Sequence, residues 1–432
     1  MLCAWALFAQ ARAYGQTAAA LGDTFSAAAT GRGGAMAAES GDPLDAVEGN
    51  PAGLAGLDGR MADLGAAALG AFGSFQNSVD PNGKLIGAGV LPLGAVGGQI
   101  GASPWRLSLA ATPDMLMRAN WRYIDPAGTA GVSYGSQSVE SEIIAVRSSV
   151  GVARPMGAHW DVGATLGLDY NKNVLNSPYI FQQQPVLAGL KVLLQLHTVG
   201  LGWNGSAGLQ WHPNNRLRMG AAWKSATDVE THGEADGTAS ALFTALGVTA
   251  SPLYSYNAEV DNHFPWTLAM GGSWQANHRL LWDLEGDWTA WGNAFHQLPV
   301  KLTDGTNPVI NSVAGSNALE DFVPLDWHDQ ATIRTGVETP IGERWTARAG
   351  YAYSSNPVPS STLTPMTAAI LRNSIGAGAG WYAGHWRIDA AYQAQLPASE
   401  SVGTSILKAG EFNDSRVSAM TQSVSITVRK HF

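Results

Sequence analysis

Cysteine is almost absent from this chain. Its one cysteine, Cys3, stands in a short apolar stretch, Leu2 to Ala9, followed by Ala11-Arg12-Ala13, the small-residue spacing of a secretory cleavage site. Residues 1–13 are therefore read as the tail of a signal segment, without its basic n-region. The chain beyond Ala13 then has no thiol for a disulfide and no C-x-x-C pair for a metal. Charge is scarce too: 14% of residues, against about 25% in a typical soluble protein. Positive charge is the scarcer sign, 25 against 34 for a net −9, the reverse of the basic patch a nucleic-acid binder needs. No apolar run approaches the roughly 18 residues of a spanning helix. The histidines are scattered, with no H-x-x-x-H, and no G-x-S-x-G occurs, so no catalytic site, metal site or cofactor motif is legible. An outer-surface hydrolase would need a serine and a histidine brought together by folding alone.

What is present is alternation. After about residue 60 the chain becomes a series of period-2 segments, the strand signal. Trp345, Ala347, Ala349, Tyr351 and Tyr353 share one face, and Arg344, Thr346, Arg348 and Gly350 the other. Trp160, Val162, Ala164, Leu166 and Tyr170 alternate with Asp161, Gly163, Thr165 and Asp169. Fourteen candidate strands follow: 61–76, 86–101, 104–118, 138–155, 158–171, 193–212, 215–231, 255–276, 278–291, 328–341, 343–354, 369–383, 385–397 and 416–432. Short turns such as 155–158, 212–215, 275–278, 340–343 and 382–385 alternate with long loops near 119–137, 172–192, 232–254, 292–327, 355–368 and 398–415.

A soluble all-β protein also alternates, but its polar face meets water and carries Lys and Glu. Here the polar face carries Gly, Ser, Thr, Asn and matched Arg and Asp, and the apolar face begins or ends in Trp or Tyr. Low charge, many glycines and aromatic strand ends describe a barrel whose apolar side meets lipid. The expected fold is all-β: a 14-stranded antiparallel transmembrane β-barrel of an outer membrane, its N-terminus in the periplasm. Trp160, Trp211, Trp223, Trp282, Trp345 and Trp386 should face lipid near the two interfaces. Arg334, Glu338, Arg348, Arg387 and Asp389 should form a polar network inside, since buried charges need partners. The last strand places Val424, Ile426 and Val428 on one face and ends at Phe432, the kind of end the barrel-assembly machinery reads.

Residues 14–60 do not alternate. They are rich in Ala and Gly and end in Asn50-Pro51-Ala52-Gly53-Leu54, which is turn chemistry. Such a segment folds compactly where bulky side chains would not fit, as inside a barrel. The domain boundaries expected are 1–13 signal tail, 14–60 plug and 61–432 barrel.

The chain resembles the FadL family of outer-membrane transporters of long-chain fatty acids and aromatic hydrocarbons. The resemblance is carried by Leu21-Gly22, Gly31-Arg32-Gly33-Gly34-Ala35, Asp42-Pro43-Leu44-Asp45-Ala46-Val47 and the Asn50-Pro51-Ala52-Gly53 turn. It continues in Trp282 to Trp291, Asp326-Trp327-His328-Asp329, Trp345 to Tyr353 and Asn356-Pro357-Val358-Pro359. It implies a hatch inside the lumen, capture of a hydrophobic solute by outer loops, and passive, sideways release through a gap at a kinked third strand. On this chain that gap falls at Ala110, Ala111, Thr112 and Pro113, although the family's Pro-Phe-Gly pattern there is absent. The apolar loop residues Leu175, Tyr179, Ile180, Phe181, Leu187, Leu242, Phe243 and Leu246 are the expected capture surface, and the alternative is that these loops pack on one another to close the top. Partners expected are outer-membrane lipid, a hydrophobic small molecule and the assembly machinery, with the protein a monomer and no cofactor. The nearer rival function is a porin for polar solutes; an outer-membrane hydrolase is the remoter one.

Overall fold

The computed structural model describes residues 26–432. The signal tail, Cys3, Leu21-Gly22 and the first part of the hatch lie outside the described residues. Among those described, eighteen β segments join into one sheet. Four wall strands consist of two segments each, so the wall has fourteen strands. They are β1 (Arg60–Gln76), β2 (Gly83–Gln99), β3 (Arg106–Ile124), β4 (Ser136–Met156), β5 (Trp160–Ile180) and β6 (Lys191–Asn214). Next come β7 (Leu217–Lys224 and Thr227–Thr238), β8 (Leu253–Phe264 and Thr267–Gln275), β9 (Leu281–Thr289 and Gln297–Thr303) and β10 (Leu319–Pro324 and Gln330–Ile341). Last are β11 (Trp345–Ser354), β12 (Asn373–Ala383), β13 (Trp386–Ser401) and β14 (Arg416–His431). Every neighbour is antiparallel, and β1 closes the barrel against β14 from Met61–His431 to Gln76–Arg416. Closure leaves no unpaired edge, which a sheet in lipid cannot tolerate. The tight turns at one end use glycine where φ is positive, as at Gly342 (φ 67°) and Gly384 (φ 59°).

The outward residues of the lower wall are apolar. Trp160, Trp282, Trp345 and Trp386 are exposed near the short turns, and Trp211 stacks on Trp160 with centroids 5.7 Å apart. Trp223 is exposed at the other end of this band, so the six tryptophans lie where a two-girdle barrel places them. Inside, Arg348 bonds Glu338 (2.6 Å) and Asp389 (2.7 Å), and Arg387 pairs with Asp389 (2.7 Å). Arg334 departs from the expected network and pairs instead with Asp287 (2.6 Å).

The strands run further outward than the alternation suggested. The expected loops 172–192, 232–254 and 292–327 shrink to 181–190, 239–252 and 304–318. The reason is a reversal of polarity. In the upper half of β7, Asp228, Glu230, His232, Glu234 and Asp236 point outward, while Val229, Thr231 and Ala235 are buried inside. In β8, Tyr254, Tyr256, Ala258 and Val260 are the inner face. The period is still 2, but the apolar face has changed sides, because this part of the wall meets water. β7, β8, β9 and β10 all break where the change occurs, and in β9 the break is the Trp291–Ala294 helix.

Two further features position the site. The pairing of β2 with β3 is interrupted: Gly94–Ala111 is the last rung below and Leu85–Trp121 the first above. Across this opening β3 carries one residue more than β2. The same extra residue, Asp114, is bulged out of the β3–β4 ladder between Pro113 and Met115, as expected beside a proline that cannot donate to a ladder. Second, the connection 355–372 turns inward. Val358, Leu363, Ala368, Ile370 and Leu371 are buried, and Trp121 Nε1 donates to Pro365 O at 2.7 Å.

Candidate functional site

The hatch is built from three short helical pieces whose caps are written in the sequence. Ser26 accepts from Ala29 N (3.1 Å) ahead of Ala27–Gly31. Asp42 accepts from Asp45 N (2.9 Å) ahead of Pro43–Glu48. Asn50 accepts from Ala52 N (3.0 Å) ahead of the 3₁₀ turn Pro51–Gly56. Proline follows each of the last two caps, where its missing N–H costs nothing.

These pieces lie against the inner wall with little space between. A Cβ on Gly220 would stand 1.7 Å from Ala37 O, and one on Gly208 1.9 Å from Asn50 Oδ1. Wall carboxylates then hold hatch groups. Glu285 accepts from the N–H of Met36 (2.7 Å) and Ala37 (2.5 Å). Asp283 pairs with Arg32 (2.8 Å). Asp63 binds Arg429 (2.7 Å), which also pairs with Asp42 of the hatch. Burial alone would raise the Asp42 carboxyl, but Arg429 beside it and the Asp45 N–H bring it down to about 2. Burial, with Asp42 as a like-charged neighbour, pushes Asp45 well above the usual carboxylate range. One hatch carboxyl thus holds its charge while its neighbour favours the proton.

The Asn50-Pro51-Ala52-Gly53 turn lies chiefly on β5 and β6, while Leu54, Ala55 and Leu57 just after it share a cluster with Ala110 of β3. Asn50 Nδ2 donates to Ala37 O (2.6 Å), to Leu209 O of β6 (3.1 Å) and, longer, to Ala221 O of β7 (3.4 Å). Pro51 and Ala52 lie over Gly163 of β5, and Gly53 lies against Ser40 of the hatch itself. The part of the hatch that meets the middle of strand three is the Pro43–Glu48 helix, where Thr112 Oγ1 donates to Glu48 Oε1. The sequence could not show this, since neither piece carries a signal for which wall strand it meets.

Above the hatch is a cavity of about 200 Å³. Its floor is Met36, Val47 and Glu48, and Ala369 and Leu371 of the infolded connection also line it. On one side it reaches Pro113, Asp114 and Met115, at the interrupted pairing. Of the four residues expected at the gap, Ala110 and Ala111 are still paired with Ala95 and Gly94, and Thr112 and Pro113 are the first two beyond the rungs. Lys224 pairs with Asp114 across this corner. Arg147 is buried and donates to Asn204 (2.7 Å) and Thr165 (2.6 Å). Neither Lys224 nor Arg147 was singled out in the sequence, because wall-lining cations look like ordinary strand residues until the barrel closes.

A second cavity, about 100 Å³ and almost wholly apolar, lies in the upper barrel. Leu175, Tyr179 and Phe181 line it with Leu194, Tyr254 and Tyr256. Leu175, Tyr179 and Ile180 belong to β5 rather than to a loop. Phe181, Leu187, Leu242 and Phe243 are buried in one cluster with the upper strands. Leu246 alone of the eight is well exposed. The loops therefore pack on one another over the top, and the apolar interior beneath them was missed because the polarity reversal hid it. Trp291, Phe295 and Trp327, with centroids 4.9–5.1 Å apart, form part of another apolar core near the strand breaks; Trp291 was expected to end a strand and the other two to lie in a loop. Among the described residues one group, Glu230, His232 and Glu259, brings possible metal ligands within 4.8 Å of each other. It is on the outer wall, and Lys301 Nζ already lies 3.4 Å from Glu259.

A closed barrel with a lipid-facing lower band, a lumen filled by its own N-terminal segment and an unpaired stretch in its wall is a plugged outer-membrane transport barrel. The chain belongs to the family described as outer membrane protein transport protein (OMPP1/FadL/TodX), whose model matches residues 8–432. Among solved structures it is similar to a Pseudomonas aeruginosa FadL homologue, with 18% identity, 96% of this chain and 100% of that chain covered, and a TM-score of 0.75. It is also similar to the Ralstonia pickettii toluene transporter TbuX (18%, 95% and 99% covered, 0.74). A third is the Pseudomonas putida toluene transporter TodX (18%, 97% and 100% covered, 0.74). No curated protein matches the chain.

Proposed function

We propose that the protein carries small hydrophobic molecules passively across the outer membrane, fatty acids or aromatic hydrocarbons being the fitting classes. The solute gathers in the apolar upper interior, passes to the cavity above the hatch and leaves sideways into the membrane between β2 and β3. The protein works as a monomer in outer-membrane lipid, with the barrel-assembly machinery as a further partner. The observation that carries this reading is the interrupted β2–β3 pairing beside a cavity whose floor is the hatch. An axial pore for polar solutes would instead need an open lumen with charged constricting loops.

The test uses the single extra residue. Deleting Asp114 brings β3 back into register with both neighbours and removes the opening, whereas Asp114→Asn keeps the bulge. Uptake of radiolabelled toluene or oleate by proteoliposomes should fall at least tenfold for the deletion and persist for Asp114→Asn. Uptake at the native rate by the deletion variant, or porin-like ion conductance of the native protein, overturns the proposal.

A further inference from the structure

The opening in the wall is not bare on its inner side. β3 residues 115–119 are buried on both faces. On one side Leu116 packs on Leu69 and Leu91, whose neighbours in alternation, Asp63 and Leu93, point into the barrel at the hatch. The unpaired stretch of β3 thus bends inward, behind β1 and β2. On the other side Met115, Met117, Ala119 and Trp121 share one apolar cluster with Leu363, Ala368, Ala369 and Ile370 of the infolded connection.

We infer that the connection 355–372 is an inner gate, which closes the β2–β3 opening from the lumen side and must withdraw before a solute can leave. The inference rests on the sideways exit proposed above. Three observations support it. The buried tip of the connection lies against the one stretch of wall that lacks ladder bonds on its β2 side. At the upper edge of that stretch, on the first paired rung, Trp121 Nε1 donates to Pro365 O (2.7 Å), a bond that joins a side chain to a backbone carbonyl rather than two backbones. The other anchors of the connection hold its two ends: His328 N to Pro357 O (2.8 Å), Thr362 Oγ1 to Leu325 O (2.6 Å) and Ile406 N to Ser361 O (3.0 Å) before the tip, and Ser354 N to Arg372 O (2.7 Å) with the Arg372–Glu400 pair after it. A segment rooted at both ends and held at its tip by a side-chain bond and apolar contact moves as a flap on those roots. The hatch closes the barrel along its axis and the flap closes it across the wall. Ala369 and Leu371, which face the cavity, are then the first surface a solute must displace, so their bulk sets the widest solute admitted.

The experiment places cysteines at 121 and 365 and joins them with a short, reducible bis-thiosulfonate linker, in the full-length protein with Cys3→Ser. The linked protein should take up toluene at least tenfold more slowly in proteoliposomes and recover on reduction. Recovery to the rate of the unlinked variant shows that the fold is intact. Trp121→Phe, which removes the hydrogen bond and leaves a smaller aromatic ring in the cluster, should raise uptake at least about fivefold, the population shift expected for one lost bond, with ion conductance unchanged because the hatch is untouched. Native uptake by the linked form, together with loss of uptake on deleting Asp114, overturns the gate and leaves the sideways exit standing. Native uptake by the Asp114 deletion overturns the exit and the gate with it.

Discussion

Asn50 is the residue on which the docking of the hatch turn can be measured. It is fully buried, and its amide does two things at once. The oxygen caps the Pro51–Gly56 turn, and the nitrogen bridges the hatch carbonyl of Ala37 to the wall carbonyl of Leu209. Asn50→Ala removes a cap worth about 1 kcal/mol and two buried hydrogen bonds worth about 1 kcal/mol each. The weak contact with Ala221 at 3.4 Å adds nothing. The closed hatch should therefore lose about 3 kcal/mol, which at about 1.4 kcal/mol per factor of ten makes its opening roughly 100-fold more frequent. Hydrogen exchange in detergent micelles reads this directly at Ala46, Gly49, Gly53 and Leu57, whose N–H groups are all bonded within the hatch. The rungs between β13 and β14 serve as the unaffected reference. Asn50→Asp sharpens the test without changing shape. The oxygen replacing Nδ2 would face carbonyl oxygens, so burial and the lack of a donor for that oxygen raise the carboxyl's folded pKa above the unfolded value. A raised pKa means that hatch protection is greatest at low pH, where the acid still donates one bond, and is lost as the pH rises. Exchange within threefold of the native protein in the alanine variant would refute the idea that this amide holds the hatch.

Gly220→Val should prevent docking, because even its Cβ falls 1.7 Å from Ala37 O; the variant is expected to insert as a barrel but to conduct ions through planar bilayers, and a silent, native-like bilayer recording would count against close contact at this glycine. Outside the membrane, Lys191 ties Asp125 (2.7 Å) to Glu411 (3.0 Å), and burial, only partly offset by Lys191, raises Glu411 from 4.5 to about 7. This tie is firmest below pH 4.5 and weakens as the pH rises through about 7, so trypsin should nick the exposed Lys408 faster relative to Glu411→Gln as the pH is raised from 5 to 8, and parallel pH profiles for the two proteins would refute it.

Much of this fold is legible in the chain because lipid imposes a single rule on the lower wall, apolar outward at every second residue. Trp345 to Tyr353 obeys it, and so do its short turns and its aromatic ends. The upper wall obeys the opposite rule, and reading Asp228 to Asp236 or Tyr254 to Val260 by the lower one turns strands into loops. Pro113 marked the weak place in β3, but the cause is a count: one residue too many between two ladders, which no single strand reveals. The connection 355–372 was legible only as a loop, 355–368, and the start of a strand, 369–372, which instead begins at Asn373. Leu363, Ala369 and Ile370 are spaced without period, and what makes them a core is the unpaired face of β3, far away in sequence. Asn50 and its neighbours were visible as turn chemistry, whereas the choice of β5 and β6 as their seat depends on which wall glycines leave room.

The polarity reversal also gives the molecule a draught line. Strand residues rise about 3.3 Å each, and the change from Trp223 to Asp228 takes place within a few residues of the breaks in β7 to β10. If the barrel sank by two residues, outward carboxylates of β7 and β8 would approach the hydrocarbon, where a charged side chain is destabilising by an amount that grows with depth. If it rose by as much, tryptophans and leucines of the lower band would leave lipid for water. Both directions are uphill, so the depth of immersion is fixed by the chain itself. A bilayer whose thickness differs from the band must stretch or thin around the protein, because the protein will not ride up or down to suit it.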